Sequence, residues 1–216
     1  RNAAALQAQQ GAVLGAAAGT AGMAAALGAS LSPAVSFEAA MAKVGAVARA
    51  TDEQLAAMTA TARELGASTR FSASQAAAGM EFLAMAGFET LQVIDAMPGM
   101  LQLAAASGSD LGTTADIASN LLSGFGLDAA EMGRVGDVLT KTFTSSNVNL
   151  RMLGETMKFA APVAAEMGVS LEQTAAMAGL LGDAGIQGSM AGTALRAILN
   201  RLSAPTGAAA AALKNL

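Results

Sequence analysis

Signals that start and stop short helices recur along most of this chain and constrain its fold more than any other feature. A Ser or Thr followed three residues later by Gln is typical of a capping box, and the pairs Thr51–Gln54, Ser72–Gln75 and Ser170–Gln173 have this spacing. Gly168 and Gly185 follow apolar runs, where a residue without a Cβ can adopt the left-handed conformation that ends a helix. The intervals between these signals leave room only for short helices.

The same signals predict an all-α fold. Strict alternation of apolar and polar residues, which would indicate strands, is absent, and β-branched residues are sparse. We therefore expect a compact bundle of short Ala-, Gly- and Met-rich helices joined by glycine corners. Gly66 is predicted to close the helix that begins after Thr51, and Pro98 is predicted to kink or break the helix that begins at Thr90. Further helix starts are predicted at Asp110, Asp128 and Asn149.

Composition divides the chain into three parts. Residues 1–32 are almost free of charge and are predicted to form a longer Ala/Gly-rich apolar helix that precedes the bundle. Residues 33–205 are predicted to form the helical core domain, and residues 206–216 to begin a further helix. Because the chain begins with Arg1 and ends within that helical run, we expect it to be part of a longer polypeptide.

The composition argues against an enzyme and against nucleic-acid binding. The chain has no cysteine, histidine, tryptophan or tyrosine. A metal site of the usual nitrogen or sulfur type therefore cannot form, the usual carrier of protons near neutral pH is missing, and no cofactor is expected. The net charge is −4, whereas contacts with nucleic-acid phosphates need clustered Lys and Arg.

The segment Ser170–Pro205 is predicted to be a tight corner between two helices. The first helix begins near Leu171 and ends at Gly185, and the second begins after Gly188 and ends at Pro205. Four apolar residues of the second helix have the spacing of one buried stripe: Leu195, Ile198, Leu199 and Leu202. Four glycines are expected to let the two backbones approach closely: Gly179, Gly182, Gly188 and Gly192.

The sequence G-I-Q-G-S-M-A-G-T-A-L-R at Gly185–Arg196 resembles the most recognisable motif in the core region of phage tail tape measure proteins. Three further segments resemble the same region: Phe71–Phe88, Ala115–Leu127 and Phe159–Gln173. Together the four segments cover roughly Phe37 to Pro205, and residues 1–32 carry none of the resemblance. The motif residues that we single out as an assembly signature are Gly185, Ile186, Gln187, Gly188, Gly192, Thr193, Leu195 and Arg196.

The resemblance implies a structural protein of the virion tail, located in the tail lumen or at the tip and assembled in the host cytoplasm. It implies several parallel copies on the tail axis that template the tube, set the tail length and leave when DNA is delivered. Because a helical residue advances about 1.5 Å, residue count translates into distance. A segment with frequent glycine corners is a poor ruler, so we expect a compact helical head that contacts its own copies, the tail tube and tail-tip or baseplate proteins.

Residues 1–32 keep a second hypothesis open. Gly11, Gly15 and Gly19 lie on one helical face with the spacing that lets helices touch backbone to backbone, in lipid or in a tight bundle. The segment Gly11–Leu31 is long enough to span a bilayer. The alternatives are a buried helix among other thin helices, a membrane-inserting, pore-forming helix that acts in genome passage through the cell envelope, or a disordered segment.

Polar residues at the corner are interpreted as structural. Asp183 and Arg196 flank the turn and are predicted to stabilise it through a salt bridge or through a guanidinium–carbonyl hydrogen bond. Ser189 and Thr193 are predicted to cap the last helix, because no histidine or nearby lysine could activate them as nucleophiles.

Two sequence patterns each keep two interpretations. The thirteen methionines either fill uneven gaps in the core or form an adaptable surface on which identical chains pack, and thin side chains in general favour self-association. Ser72–Phe88 and Ser170–Ile186 align without gaps, with a fainter copy at Leu122–Leu127, either as an internal repeat or as convergent helix punctuation. A true repeat predicts equivalent places around one core for Phe88, Leu127 and Ile186.

Overall fold

A computed structural model describes residues 34–205, 207 and 210 of the protein. They form α-helices joined by short turns, without a strand, which confirms the all-α class. Helix α1 includes residues 34–48. The helices that follow are α2 (Asp52–Ser68), α3 (Ala73–Met85), α4 (Thr90–Ser107), α5 (Leu111–Phe125), α6 (Met132–Ser145), α7 (Leu150–Glu166), α8 (Leu171–Asp183) and α9 (Gly188–Ser203), and a 3-10 turn, Ala129–Glu131, leads into α6.

The predicted capping boxes form at the starts of α2, α3 and α8. In each, the N-cap N–H donates to a Gln Oε1, at 2.9 Å for Thr51, 2.8 Å for Ser72 and 3.0 Å for Ser170. Asp110 and Asn149 cap α5 and α7 as predicted, since each side chain accepts from a first-turn N–H. These starts depend on residues three apart in sequence, which is why the sequence alone could locate them.

Four helices end in the same way, on a glycine with positive φ followed by an apolar residue whose N–H bonds back across the last turn. The bonded pairs are Phe88 to the Leu83 carbonyl, Leu127 to Leu122, Val169 to Ala164 and Ile186 to Leu181, after Gly87, Gly126, Gly168 and Gly185 respectively. Phe88 and Leu127 pack against the core, and Ile186 is half-buried. Because the end of α7 lies outside the suspected repeat and closes identically, the pattern favours convergent helix punctuation.

The helix end predicted at Gly66 is wrong, and so is the break that was one alternative at Pro98, while the kink there stays a prediction. Gly66 lies inside α2, which continues to Ser68. A Cβ on Gly66 would lie 2.5 Å from the Ala73 backbone nitrogen, so this glycine permits the start of α3 to approach α2. Helix α4 is continuous through Pro98, because packing on both sides holds the helix where one backbone hydrogen bond is lost.

The core forms one contiguous cluster in which thin side chains are compensated by close helix approach. Helix α4 packs on α6, α5 on α7, and α7 on α9. At the α4–α6 contact a Cβ on Gly99 would lie 2.5 Å from the Gly133 nitrogen, so two backbones touch there. Seven methionines are buried in the core, which supports the gap-filling interpretation: Met41, Met58, Met80, Met97, Met100, Met132 and Met157.

Helix α1 is attached to this cluster by both apolar and polar contacts. Phe37, Met41 and Val44 are buried, and Lys43 Nζ lies 2.7 Å from Glu81 Oε1 on α3. No helix in the described part of the chain has the length and apolarity that crossing a bilayer requires. The predictions made for residues 1–32, including the face of Gly11, Gly15 and Gly19, lie outside the described residues, as do most of residues 206–216.

Candidate functional site at the α8–α9 corner

The α8–α9 corner, Gly185–Arg196, begins with the sharp reversal that the sequence predicts. The Gly185 N–H donates to the Gly182 carbonyl at 3.0 Å, and the Ile186 N–H donates to the Leu181 carbonyl at 2.8 Å. Gly185 has a φ of 82°, and a Cβ there would meet nothing within 4 Å. Its glycine is therefore required by backbone conformation and not by space.

The corner is attached to the α6–α7 loop by two hydrogen bonds that converge on one residue. Asp183 Oδ1 accepts from the Asn147 N–H at 2.6 Å, and the Gln187 side-chain amide donates to the Asn147 carbonyl. The Gln187 amide also donates to the Gly182 carbonyl at 3.4 Å. Both backbone groups of Asn147 are thus held by side chains on either side of the turn, which fixes the corner against α6 and α7.

The predicted contact between Asp183 and Arg196 does not form. Arg196 lies eight residues after Gly188, about 12 Å along α9, so the helix carries its side chain away from the turn. Its guanidinium instead lies 6.0 Å from the centroid of the Phe159 ring on α7. Arg196 therefore helps to hold α9 on α7, while Asp183 holds the loop before α7.

The glycines of the corner permit close approach, but not between α8 and α9 as predicted. A Cβ on Gly192 would overlap the Thr156 carbonyl of α7, and a Cβ on Gly179 would lie 2.9 Å from Ser146 Oγ. Thr156 Oγ1 also donates to the Gly188 carbonyl at 3.0 Å. Since α9 packs mainly on α7, the close contact lies between these two helices.

The predicted buried stripe of α9 is only half correct. Leu195 and Leu199 are buried, whereas Ile198 is 46% exposed and Leu202 is 51% exposed. The face that meets α7 is completed by Ala191 and Gly192, which precede Leu195 and were not part of the predicted stripe. Ile198 and Leu202 consequently lie beside the contact and not within it.

Ser189 and Thr193 are not caps. The N-cap of α9 is Gln187, whose side chain does not bond to the helix start, and Thr193 Oγ1 donates to the Ser189 carbonyl at 2.9 Å within the helix. Both residues are exposed on α9. Within the described residues neither hydroxyl is hydrogen-bonded to a side chain that could act as its base, so the corner shows no activated nucleophile of the usual kind.

Elsewhere in the described residues, the carboxylates with shifted pKa values are held in the ionised form by hydrogen bonds. Hydrogen bonds from Arg134 hold the pKa of Glu172 at about 2, and backbone hydrogen bonds lower the pKa of Glu53 and Asp110. No group of side chains in residues 34–205 is arranged to hold a metal ion. A groove of about 780 Å³ between α5 and α7 is lined by side chains of both charge signs, in a chain that has no histidine to act as base.

The contacts at Asn147 and Phe159 were missed by sequence reasoning. Asn147 lies 36 residues before Asp183 and 40 before Gln187. The polar, turn-like run Ser145–Asn149 indicated a loop, but nothing in it indicated which helix end it would meet. Only the packing of α8 against α6 brings the two segments together.

Comparison with known proteins gives consistent matches. Residues 59–216, which include the whole corner, match the model of a family described as phage-related minor tail protein. The chain is 47% identical over 180 residues to a tape measure protein of Pneumococcus phage Dp-1 and 40% identical over 163 residues to a probable tape measure protein of Escherichia phage P2. These alignments cover 83% and 76% of this chain but only 16% and 20% of the two relatives. No solved structure matches the chain significantly.

Proposed function

The chain belongs to the phage-related minor tail protein family, and on that basis we propose that it is the compact head region of a tape measure protein. Its similarity to tape measure proteins supports a structural role in the phage tail. The finer role that we propose is to lie on the tail axis in several parallel copies. There it would take part in templating the tail tube, in setting tail length and in release during DNA delivery.

The observation that carries this proposal is the compact fold of a segment whose relatives are much longer chains. Drawn out as one helix, residues 34–205 would span about 260 Å at about 1.5 Å per residue. A compact domain of this size has a radius of gyration of only about 16 Å. A segment folded back into one core adds little to a ruler, which supports the proposal that it contributes through binding and nucleation.

The proposed partners are further copies of the chain, the tail tube and tail-tip or baseplate proteins. The exposed large apolar side chains of α8 and α9 support such contacts, since a soluble monomer rarely leaves apolar patches uncovered. A structural role also fits a corner whose polar groups are engaged in holding the fold. The family relation does not favour the alternative of a membrane-inserting protein.

The test is an in-frame deletion of Gly185–Pro205 in the phage that encodes the parent protein, followed by electron microscopy. We expect no tails, because the deletion removes α9 and exposes the face of α7 on which Thr156 is buried. The control removes an equal number of residues from a long helical run outside the head. There we expect tails shorter by about 30 Å for about 20 helical residues. Tails of normal length after loss of the corner would contradict the proposal.

A further inference from the structure

An apolar groove of about 550 Å³ runs between α6 and α8, and we refer to it as the α6–α8 groove. Val138 and Thr142 line it from α6, and Ala176, Gly179 and Leu180 line it from α8. Gly179 lets α8 approach Ser146 closely at the bottom of the groove, because a Cβ there would lie 2.9 Å from Ser146 Oγ. Leu180 is 71% exposed at the edge. The groove therefore presents uncovered apolar surface without a partner in the described chain.

A second uncovered apolar surface runs along α9. Its members are Met190, Ala194, Ala197, Ile198 and Leu202, which we refer to as the α9 flank. At about 100° per residue, these positions cover roughly 140° of the helix surface, directly beside the face buried on α7. Met190 is 63% exposed, and Ile198 and Leu202 are each about half exposed. The flank is therefore one stripe of apolar side chains, with the exposed Arg201 within its arc.

The two surfaces agree in length. Along α8, the groove extends from Glu172 to Asp183, about 16 Å at about 1.5 Å per residue. Along α9, the flank extends from Met190 to Leu202, about 18 Å on the same basis. The flank is therefore long enough to extend along the whole groove.

They also agree in charge. The groove rim carries Asp137 and Asp183 against a single Lys141, while Glu172 is neutralised by Arg134, whose Nε lies 2.7 Å from Glu172 Oε1. Asp137 forms no ion pair within the described residues. The charged residue that falls within the arc of the α9 flank is Arg201, exposed in the last turn. The acidic rim thus meets a flank whose one charged residue is basic, which favours this pairing over the pairing of two like surfaces.

We propose that the α6–α8 groove binds the α9 flank of a second copy of this chain. Within the described residues both surfaces are uncovered at once, so they do not cover each other there, and a second molecule would join them. Because the groove and the flank are different patches, the contact is head-to-tail, and repeated contacts of this kind close into a ring or continue as a filament. The inference deepens the proposed function by giving the parallel copies a specific contact, and it rests on that function for the presence of several copies in one tail.

Cysteine cross-linking of the full 216-residue chain tests the contact, since the natural chain contains no cysteine. A Leu180→Cys chain mixed with an Ile198→Cys chain and oxidised should form covalent dimers, because the contact brings the two positions within the short Cα separation that a disulfide needs. The matched control is Leu91→Cys mixed with Ile198→Cys, since Leu91 on α4 is 68% exposed but lies outside both surfaces. We expect at least ten-fold less dimer from the control. Equal yields would overturn the proposal and would leave the groove to another segment or protein.

Sedimentation of the same chain as a function of concentration provides the second measurement. Leu180→Asp should weaken self-association at least ten-fold, while Leu91→Asp should leave it unchanged. Both side chains are exposed, so we expect both variants to fold. A wild-type chain that stays monomeric at all concentrations, or equal effects of the two variants, would overturn the contact. Cross-linked copies together with normal tails after deletion of Gly185–Pro205 would refute the proposed function alone. Loss of tails together with control-level cross-linking would refute the contact alone.

Discussion

Within one short motif, glycine meets two different physical needs. Gly185 is required because its φ of 82° is left-handed, although a Cβ would have open space. Gly192 lies in regular helix, but a Cβ would overlap the Thr156 carbonyl and lie 3.1 Å from the Phe159 Cβ. A turn is made at the first position and a helix–helix contact at the second. These two glycines of the motif are therefore needed for backbone geometry and not for side-chain chemistry.

Gly192→Ala should lower the free energy of unfolding by about 1–3 kcal/mol, because the added methyl forces α9 away from α7. Gly133→Ala is the matched control, since Gly133 is also a helical glycine but a Cβ there meets nothing within 4 Å. This control should raise stability by about 0.5–1 kcal/mol through the better helix propensity of alanine. Urea unfolding monitored by circular dichroism measures both. Equal stability of the two variants would contradict the close α7–α9 approach.

At the scale of helices, the starts were predictable and the ends and faces less so. Thr51, Ser72 and Ser170 begin helices through bonds that span three residues, so local sequence determines them. Gly66 and Pro98 were assigned as interruptions by local rules, yet packing across the helices keeps both inside continuous helices. Position on a stripe also depends on the neighbour, which is why Ile198 proved exposed.

The corner shows the same division. Its reversal at Gly185 depends on adjacent residues and was predicted, along with the start of α9 near Gly188. Its attachment to Asn147 depends on a loop that lies 36 to 40 residues earlier in the sequence. The position of Arg196 over Phe159 depends on how α9 packs on another helix, α7. Physical chemistry gives each side chain several suitable partners. The tertiary packing selects among them.

The ion pair between Arg134 on α6 and Glu172 on α8 should contribute to stability in a way that depends on pH in the acid range. Hydrogen bonds donated by Arg134 lower the pKa of Glu172 to about 2 in the folded chain, below its value in the unfolded chain. A lowered folded pKa means that the link stabilises the fold above about pH 4.5 and is lost as pH falls towards 2. Glu172→Gln should therefore cost less than about 1 kcal/mol at pH 7, since the pair is exposed, and almost nothing at pH 2.

The control for this pH series is Glu155→Gln. Glu155 is an exposed glutamate on α7 that makes no ion pair within the described residues. Its removal should change stability by no more than a few tenths of a kcal/mol at either pH, as is usual for isolated surface positions. Denaturant unfolding of both variants at pH 7 and pH 2 gives the comparison. A Glu172→Gln deficit that persists unchanged at pH 2 would show that the charge pair is not its cause.

At the scale of the whole molecule, thin side chains do not prevent a continuous core. Glycine contacts such as Gly99 on Gly133 bring backbones together, and buried methionines fill the irregular gaps that remain. The density that bulky side chains would supply comes instead from short distances between helices. Self-association is therefore favoured by the apolar surfaces left uncovered on α8 and α9, and not by a deficient core.

Methionine oxidation tests whether this core opens as one unit. Treatment with hydrogen peroxide should oxidise the exposed Met85 and Met190 readily, while the fully buried Met97, Met100 and Met132 should react at least about 100-fold more slowly, because only near-global unfolding exposes them. Peptide mass spectrometry over time resolves the individual rates. Rapid oxidation of Met132 would show that the α4–α6 contact opens separately. Raising the protein concentration adds a further distinction: association through the α9 flank should protect Met190 and leave Met85, on α3, as reactive as before.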